Sequence, residues 1–245
     1  MADVVVSGSF DDLRSPHVRF LEEAASRGNL HVHLWSDELF QQNEGRPPKF
    51  PEAERLYFVQ AIRYVQSARI VSQLSDPTAL PVDLSDPILK QFPRSASVDF
   101  SFSGKKRVLV TGCFDWLHTG HVRFFEEVSE YGDVYAVVGH DANIELLKGK
   151  GHPRFPQDER RYVVGAIRYV KQALVSTGQG WMDAAPEIER IKPDIYAVNE
   201  DGDNPEKSAF CRTHGLQYLV LKRLPKPGLT ARSSTKLRDA EAGRR

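Results

Sequence analysis

The chain repeats itself, and that restricts what it can fold into. Residues 8–23 read GSFDDLRSPHVRFLEE and residues 112–127 read GCFDWLHTGHVRFFEE, identical at 10 of 16 positions at an offset of 104. Residues 48–65, PKFPEAERLYFVQAIRYV, recur as residues 153–170, PRFPQDERRYVVGAIRYV, identical at 12 of 18 positions at an offset of 105. Chance would give about one match per block, so one unit stands twice in the chain. The copies are unequal. The second continues for 75 residues beyond residue 170, whereas only residues 66–104 follow the repeat in the first. That remainder holds Pro77, Pro81, Pro87 and Pro93 among Ser and Asp, a spacing that breaks helices and reads as a looped connector. The expected organisation is a degenerate, truncated half-domain over residues 1–75, a linker over 76–104 and a complete domain over 105–245.

Composition bounds the function. The chain is 40% hydrophobic and 27% charged, which fits a globular protein and not a disordered one. Its 33 basic and 33 acidic residues cancel, so nothing points to a general binder of nucleic acid or membrane surfaces. The charge is uneven: residues 1–104 carry 10 basic and 14 acidic side chains, leaving 23 and 19 for residues 105–245. The second part, at +4 against −4, is where an anionic substrate would be steered. No stretch approaches the ~18 apolar residues of a membrane span, and the start, Met1-Ala2-Asp3-Val4, lacks the basic region of a secretory signal. Two cysteines, Cys113 and Cys211, are too few for a disulfide framework or a four-ligand zinc site. A cytoplasmic setting is expected.

Periodicity places the elements. Arg107 to Thr111 is a short apolar run ending at Gly112 and reads as a buried strand. A helix is predicted from about Thr119 to Glu130, with Val122, Phe125 and Val128 on one side. Further strands are predicted over 134–138, 173–175, 195–198 and 218–221, with helices over 158–170 and 184–191. Strands alternating with helices give a Rossmann-like parallel α/β sheet with helices on both faces. Ligands then bind outside the C-terminal strand ends, where Gly112 falls.

His118-Thr119-Gly120-His121 sits between that strand and a helix start. Two histidines three apart share a helical face, Gly120 lets a phosphate approach the backbone, and the helix N-terminus supplies free N–H donors. Alone, such a pair reads first as two ordinary surface histidines; a zinc pair is another reading, but no third ligand is evident nearby at the right spacing. Arg232-Ser233-Ser234-Thr235-Lys236 is a helix cap that could also hold phosphate oxygens, amid the charges of Arg232, Lys236 and Arg238. Lys148, in Leu147-Lys148-Gly149-Lys150, reads as a mobile loop charge. A dinucleotide oxidoreductase is disfavoured, because Asp183 occupies the third glycine position after Gly178-x-Gly180.

Together, Gly112-x-Phe114-Asp115-x-x-His118-x-Gly120-His121 and Ser233-Ser234-Thr235 resemble the two signatures of the cytidylyltransferase-like nucleotidyltransferase superfamily. Leu147-Lys148-Gly149, Pro153 and Arg160 resemble the segment between them. The likeness covers roughly residues 106–239 and extends in flavour to glycerol-3-phosphate and ethanolamine-phosphate cytidylyltransferases and the adenylyltransferase of ADP-heptose synthesis. It implies that His118 and His121 bind phosphates and stabilise the transition state. Lys148 would touch phosphate oxygens, with Lys150 as substitute. Ser233, Ser234 and Thr235 would hold the β- and γ-phosphates at a helix start, while Gly112, Phe114 and Gly120 line the nucleotide. Two departures stand out. The lead-in Pro225-Lys226-Pro227-Gly228 lacks the family arginine, so Arg223 or Arg232 would serve. The acidic segment Asn199-Glu200-Asp201-Gly202-Asp203 is irregular. CTP and ATP are thus both open.

The first copy has Arg14 for His118 and Pro16 for Gly120, keeps His17 for His121, and lacks the serine signature. It is expected to be non-catalytic and to act as the inner half of a pseudo-dimer, with room for a homo-oligomer. The expected activity joins a nucleoside monophosphate from CTP or ATP, with Mg²⁺, to a small phosphate-monoester acceptor, releasing pyrophosphate. The alternatives are an adenylyltransferase acting on a sugar phosphate or other small phosphate, and a nucleotide-binding regulatory module.

Overall fold

The computed structural model describes residues 2–93, 101 and 103–242. The chain divides into two compact units near residue 92, with Ala166–Arg168 counted in the first. The first holds β1 (Asp3–Gly8), α1 (Ser15–Ala25), β2 (Asn29–Trp35), α2 (Asp37–Glu44), α3 (Glu52–Ala61), β3 (Val65–Val71) and β4 (Leu80–Pro81). All its strands are parallel, in the order β3-β2-β1-β4. The second holds β5 (Arg107–Gly112), α4 (Thr119–Ser129), β6 (Asp133–Val138), α5 (Asp141–Lys148), α6 (Gln157–Gly165), β7 (Val170–Val175), α7 (Ala185–Ile191), β8 (Ile195–Asn199), α8 (Pro205–Thr213), β9 (Gln217–Leu221) and α9 (Ser234–Ala242). Its sheet is parallel, in the order β7-β6-β5-β8-β9. The order of elements from β1 to β3 is repeated from β5 to β7.

The second sheet follows from its sequence. Val108, Leu109 and Val110 of β5 and Val134 to Val138 of β6 are all buried, as strands covered on both faces must be. Leu109, Tyr135, Val137, Leu174, Tyr196 and Val198 meet Ala184, Ile188, Ile191 and Cys211 from the α7 and α8 region. Strand order reverses between β5 and β8, which opens a crevice at their C-terminal ends.

The first sheet departs from the two-faced expectation. One face is packed, with Val6, Leu30, Val32 and Leu34 buried. On the other, the positions matching Leu109, Tyr135, Val137 and Leu174 are Val5, His31, His33 and Arg69, none of them buried. His31 bonds Ser67 at 2.7 Å and Arg69 bonds His33 at 3.0 Å across this polar surface.

Three other details differ from expectation. The helix predicted to Val170 stops at Gly165, a poor helix former, and β-branched Val170 opens β7 instead. Helices α5 and α8 bury so few residues (Asn143 and Ile144; Cys211) that no apolar stripe announced them. The half-domain boundary at residue 75 also moves. Leu80 and Pro81 pair with Val6 and Ser7, and the 3-10 turn Pro87–Lys90 buries Leu89, so the first unit runs to Phe92. Residues 94–100 and 102 of the expected linker lie outside the described residues. Among the described residues, no helix is long and apolar enough to cross a membrane.

Candidate active site

The site is built on the turn from β5 into α4. His118 is the N-cap of α4, and its Nδ1 accepts the Gly120 N–H at 3.1 Å. His121 Nδ1 accepts the His118 N–H at 3.3 Å. With both Nδ1 atoms accepting, each ring carries its proton on Nε2, as a neutral donor. The rings lie 4.0 Å apart, centre to centre. His118 is 3% exposed, and its Nε2 is shielded from solvent without a hydrogen-bond partner. Burial, aided by Arg223 and Arg232, pushes its pKa down to about 3. Burial, then the neighbouring His118 and Arg223, holds His121 well below its ordinary value. Two neutral histidines thus line a cleft at a helix N-terminus, an arrangement chemically able to donate to an anion's oxygens.

A Cβ on Gly120 would come within 2.9 Å of the His118 ring, so a side chain there would displace that ring. Phe114, with φ of +49°, is turned under the site, its ring 5.5 Å from that of His121 and 5.3 Å from that of Phe125. It supports the histidine and lines the cleft at the same time.

Arg160 holds the surrounding loops together. Its guanidinium donates to the carbonyls of Phe155, Cys113 and Gly139 at 2.8, 2.6 and 2.8 Å, and to Asp141 at 2.7 Å. Asp115 takes the Arg154 and Phe155 N–H groups on Oδ1, while its buried Oδ2 faces Arg238 at 3.8 Å.

The cleft encloses about 480 Å³ and gathers most of the expected residues: Gly112, Phe114, His118, Gly120, His121, Lys148 and Ser234. An adjoining cavity of about 190 Å³ takes in Arg232 and Ser233. Thr235 and Lys150 are exposed and line neither. Lys148 is the last residue of α5, not a loop residue. Ser234 donates to the Trp116 carbonyl at 3.2 Å, which ties the start of α9 to the β5–α4 turn. Arg223, after β9, lines both cavities and bonds Asp201 and the Arg232 carbonyl. Arg232, the other arginine considered for the missing lead-in residue, lines only the smaller cavity.

The far wall was only partly legible in sequence. It brings Asn143, Trp181, Asp183, Asn199, Asp201 and Lys207 to the cleft. Trp181 is 46% exposed although its loop is firmly held. Asn143 and Gly180 exchange two hydrogen bonds, at 3.0 and 2.7 Å, and His140 bonds the Gly178 carbonyl. Asp183 accepts the Ser176 hydroxyl at 2.6 Å. The signal for Trp181 was an aromatic residue just after Gly178-x-Gly180; Asn199 and Asp201 lay in the irregular acidic segment, and Asn143 and Lys207 had no signal. Among the described residues, no three metal-binding side chains converge.

The first unit keeps the scaffold and one of the two histidines. Arg55 repeats the Arg160 pattern on Phe50, Ser9 and Asp37, and Asp11 takes the Lys49 and Phe50 N–H groups as Asp115 does its own. His17 Nδ1 accepts the Arg14 N–H. At the position matching Gly139 stands Trp35, whose indole N–H donates to Ser7 at 3.0 Å. In the second unit even a Cβ at Gly139 would come within 2.7 Å of Ile144.

The depressed histidines predict a pH dependence of stability. Unfolded, His118 takes a proton near pH 6.5; folded, it does so only near pH 3. Between those values the unfolded chain holds the extra proton, so stability present above pH 6.5 is lost as pH falls. The loss is expected at about 1.4 kcal/mol per pH unit for this residue. Denaturant midpoints at pH 7 and pH 5 check it: the drop should shrink in His118→Asn.

Residues 109–239 match the cytidylyltransferase-like family. A curated FAD synthase of Ferroglobus placidus is 34% identical over 54% of this chain and 85% of its own length. One from Thermococcus kodakarensis is 36% identical over 48% and 79%. The bifunctional protein HldE of Aliarcobacter butzleri is 40% identical over 40% of this chain and 20% of its own.

Proposed function

The chain belongs to the cytidylyltransferase-like family and is a nucleotidyltransferase; from that premise we propose that its second unit transfers the adenylyl group of ATP to a small phosphate monoester. The observation that carries this is the neutral His118–His121 pair, with a buried, unpartnered Nε2 at the start of α4. An acceptor phosphate oxygen, already ionised, attacks the α-phosphorus; the bond to the bridging oxygen breaks and pyrophosphate leaves. No general base is needed, so catalysis is alignment and charge stabilisation. The histidine N–H groups and the starts of α4 and α9 face the charge that develops, and Lys148 and Arg223 add cations. Mg²⁺ enters as part of the substrate, on the triphosphate, largely water-ligated.

Adenylyl transfer is favoured over cytidylyl transfer because several similar proteins are FAD synthases, and FAD contains an adenylyl group. The rigid wall of Trp181, Ile144 and Asp183 suits an acceptor with a flat or C–H face and hydroxyl groups, such as a flavin or sugar phosphate. The two free thiols, Cys113 and Cys211, suit a reducing cytoplasm. For residues 1–104 we propose a supporting role: their removal should leave residues 105–245 prone to self-association. A stable, fully active monomer of 105–245 would end that reading.

The test is pyrophosphate release from each of the four ribonucleoside triphosphates against a panel of phosphate monoesters. ATP is expected to turn over only with an acceptor present, and Lys148→Ala to raise the KM for ATP without moving the melting curve. Turnover with CTP alone would restore cytidylyl transfer. ATP binding without pyrophosphate from any pair would favour a regulatory module.

A further inference from the structure

The cleft of the second unit carries a cation that the phosphate chemistry does not use. Lys207 is the third residue of α8, where a positive charge opposes the helix dipole, and it lines the cleft on the far wall with Trp181 and Asp183. Its ammonium donates to the Gly202 carbonyl at 2.8 Å. A Cβ built on Gly202, itself a cleft residue, would lie 3.9 Å from Nζ, so the ammonium stands beside the open face of that glycine. Burial pushes its pKa below the ordinary value, against the pull of Asp203, Asp201 and Asp183.

Of these three carboxylates, Asp201 is paired with Arg223. Asp203 accepts the Tyr218 hydroxyl at 2.9 Å and Asp183 the Ser176 hydroxyl at 2.6 Å, and a hydroxyl satisfies a carboxylate without neutralising it. Asp183 also borders the cleft floor, its Oδ2 3.3 Å from a Cβ built on Gly139. An indole ring and carboxylates that keep their charge attract an organic cation. Lys207 sets the protein's own cation among them. Resting on the nucleotidyl-transfer reading, we infer that Lys207 sets acceptor selectivity: its ammonium fills the cationic place on the far wall, so the enzyme takes phosphate monoesters with an uncharged, hydroxyl-bearing distal end and refuses amino-alcohol phosphates. The ammonium donates to a hydroxyl oxygen of the former and repels the latter, and the repulsion carries the discrimination.

Glycerol 3-phosphate and ethanolamine phosphate make a matched pair of probes, small phosphate monoesters ending in a hydroxyl or an ammonium. Each is titrated calorimetrically into the full-length chain and its Lys207→Met, Lys207→Gln and Lys207→Arg variants, after titration with a non-hydrolysable ATP analogue. Two neutral variants are carried so that loss of folding in one, read from its melting curve, leaves the other. The Met and Gln variants are expected to bind ethanolamine phosphate about tenfold more tightly than the wild type, with no matching gain for glycerol 3-phosphate. The Arg variant, which keeps the charge, should behave as the wild type. The assignment is overturned by a wild type that binds the amine as tightly as it binds glycerol 3-phosphate. It is also overturned if the neutral variants gain nothing for the amine, or gain equally for both probes. Failure of the ATP analogue to bind would instead strike at the nucleotidyl-transfer reading, whereas its binding without the gain strikes at Lys207 alone.

Discussion

Replacing His121 with Ala is expected to lower turnover by roughly two to three powers of ten, the scale for losing one donor aimed at transition-state charge. His118→Ala should fall in the same range, because its Nε2–H has no other partner. The loss should appear in kcat more than in KM, since the interaction strengthens as the α-phosphorus is attacked. His17→Ala is the internal control. It occupies the position of His121 in the first unit, but Arg14 stands in the place of His118 and Pro16 in that of Gly120. Its turnover should stay near wild type. Equal losses at His17 and His121 in steady-state assays would show that the first unit takes part in the chemistry.

The largest loss of stability is expected at Arg160. The residue is 2% exposed, and three of its acceptors are backbone carbonyls from separate segments. Truncation to Ala strands those carbonyls, an expected cost of about 3–5 kcal/mol in all, and removes the cation beside half-exposed Asp141. Lys should rescue little, because a single ammonium cannot reproduce a planar fork bonded in four directions. Chemical denaturation of both variants measures this; a shift under about 1 kcal/mol for Arg160→Ala would show that the loops hold themselves.

What could be read from the sequence followed local spacing. The β5–His118–His121 turn, the α4 stripe and the duplicated blocks each lie within a few consecutive residues, where one period or one motif suffices. Arg160 was visible only as part of a resemblance; its function as a clamp depends on carbonyls at 113, 139 and 155 that no periodicity brings together. The grouping of Asn143, Asp183, Asn199 and Lys207 was illegible for a related reason. They come from α5, the loop after β7, the end of β8 and α8, and only the strand order β7-β6-β5-β8-β9 sets them around one cleft. The boundary at residue 75 failed because Leu80 and Pro81 form a strand too short to show an alternation.

The polar face of the first sheet bears on how the chain avoids aggregation. A parallel sheet left apolar on an open face would stack against another copy or a nascent chain. Where the second unit has Tyr135, Val137 and Leu174 under helices, the first has His31, His33 and Arg69, joined to their neighbours by side-chain hydrogen bonds. Strand β2 therefore alternates buried Leu30, Val32 and Leu34 with hydrated His31 and His33, a pattern that fixes register as well, since a one-residue slip would send leucines into water. Replacing His31, His33 and Arg69 with the apolar residues of the second unit would turn this face apolar without any change to the packed one.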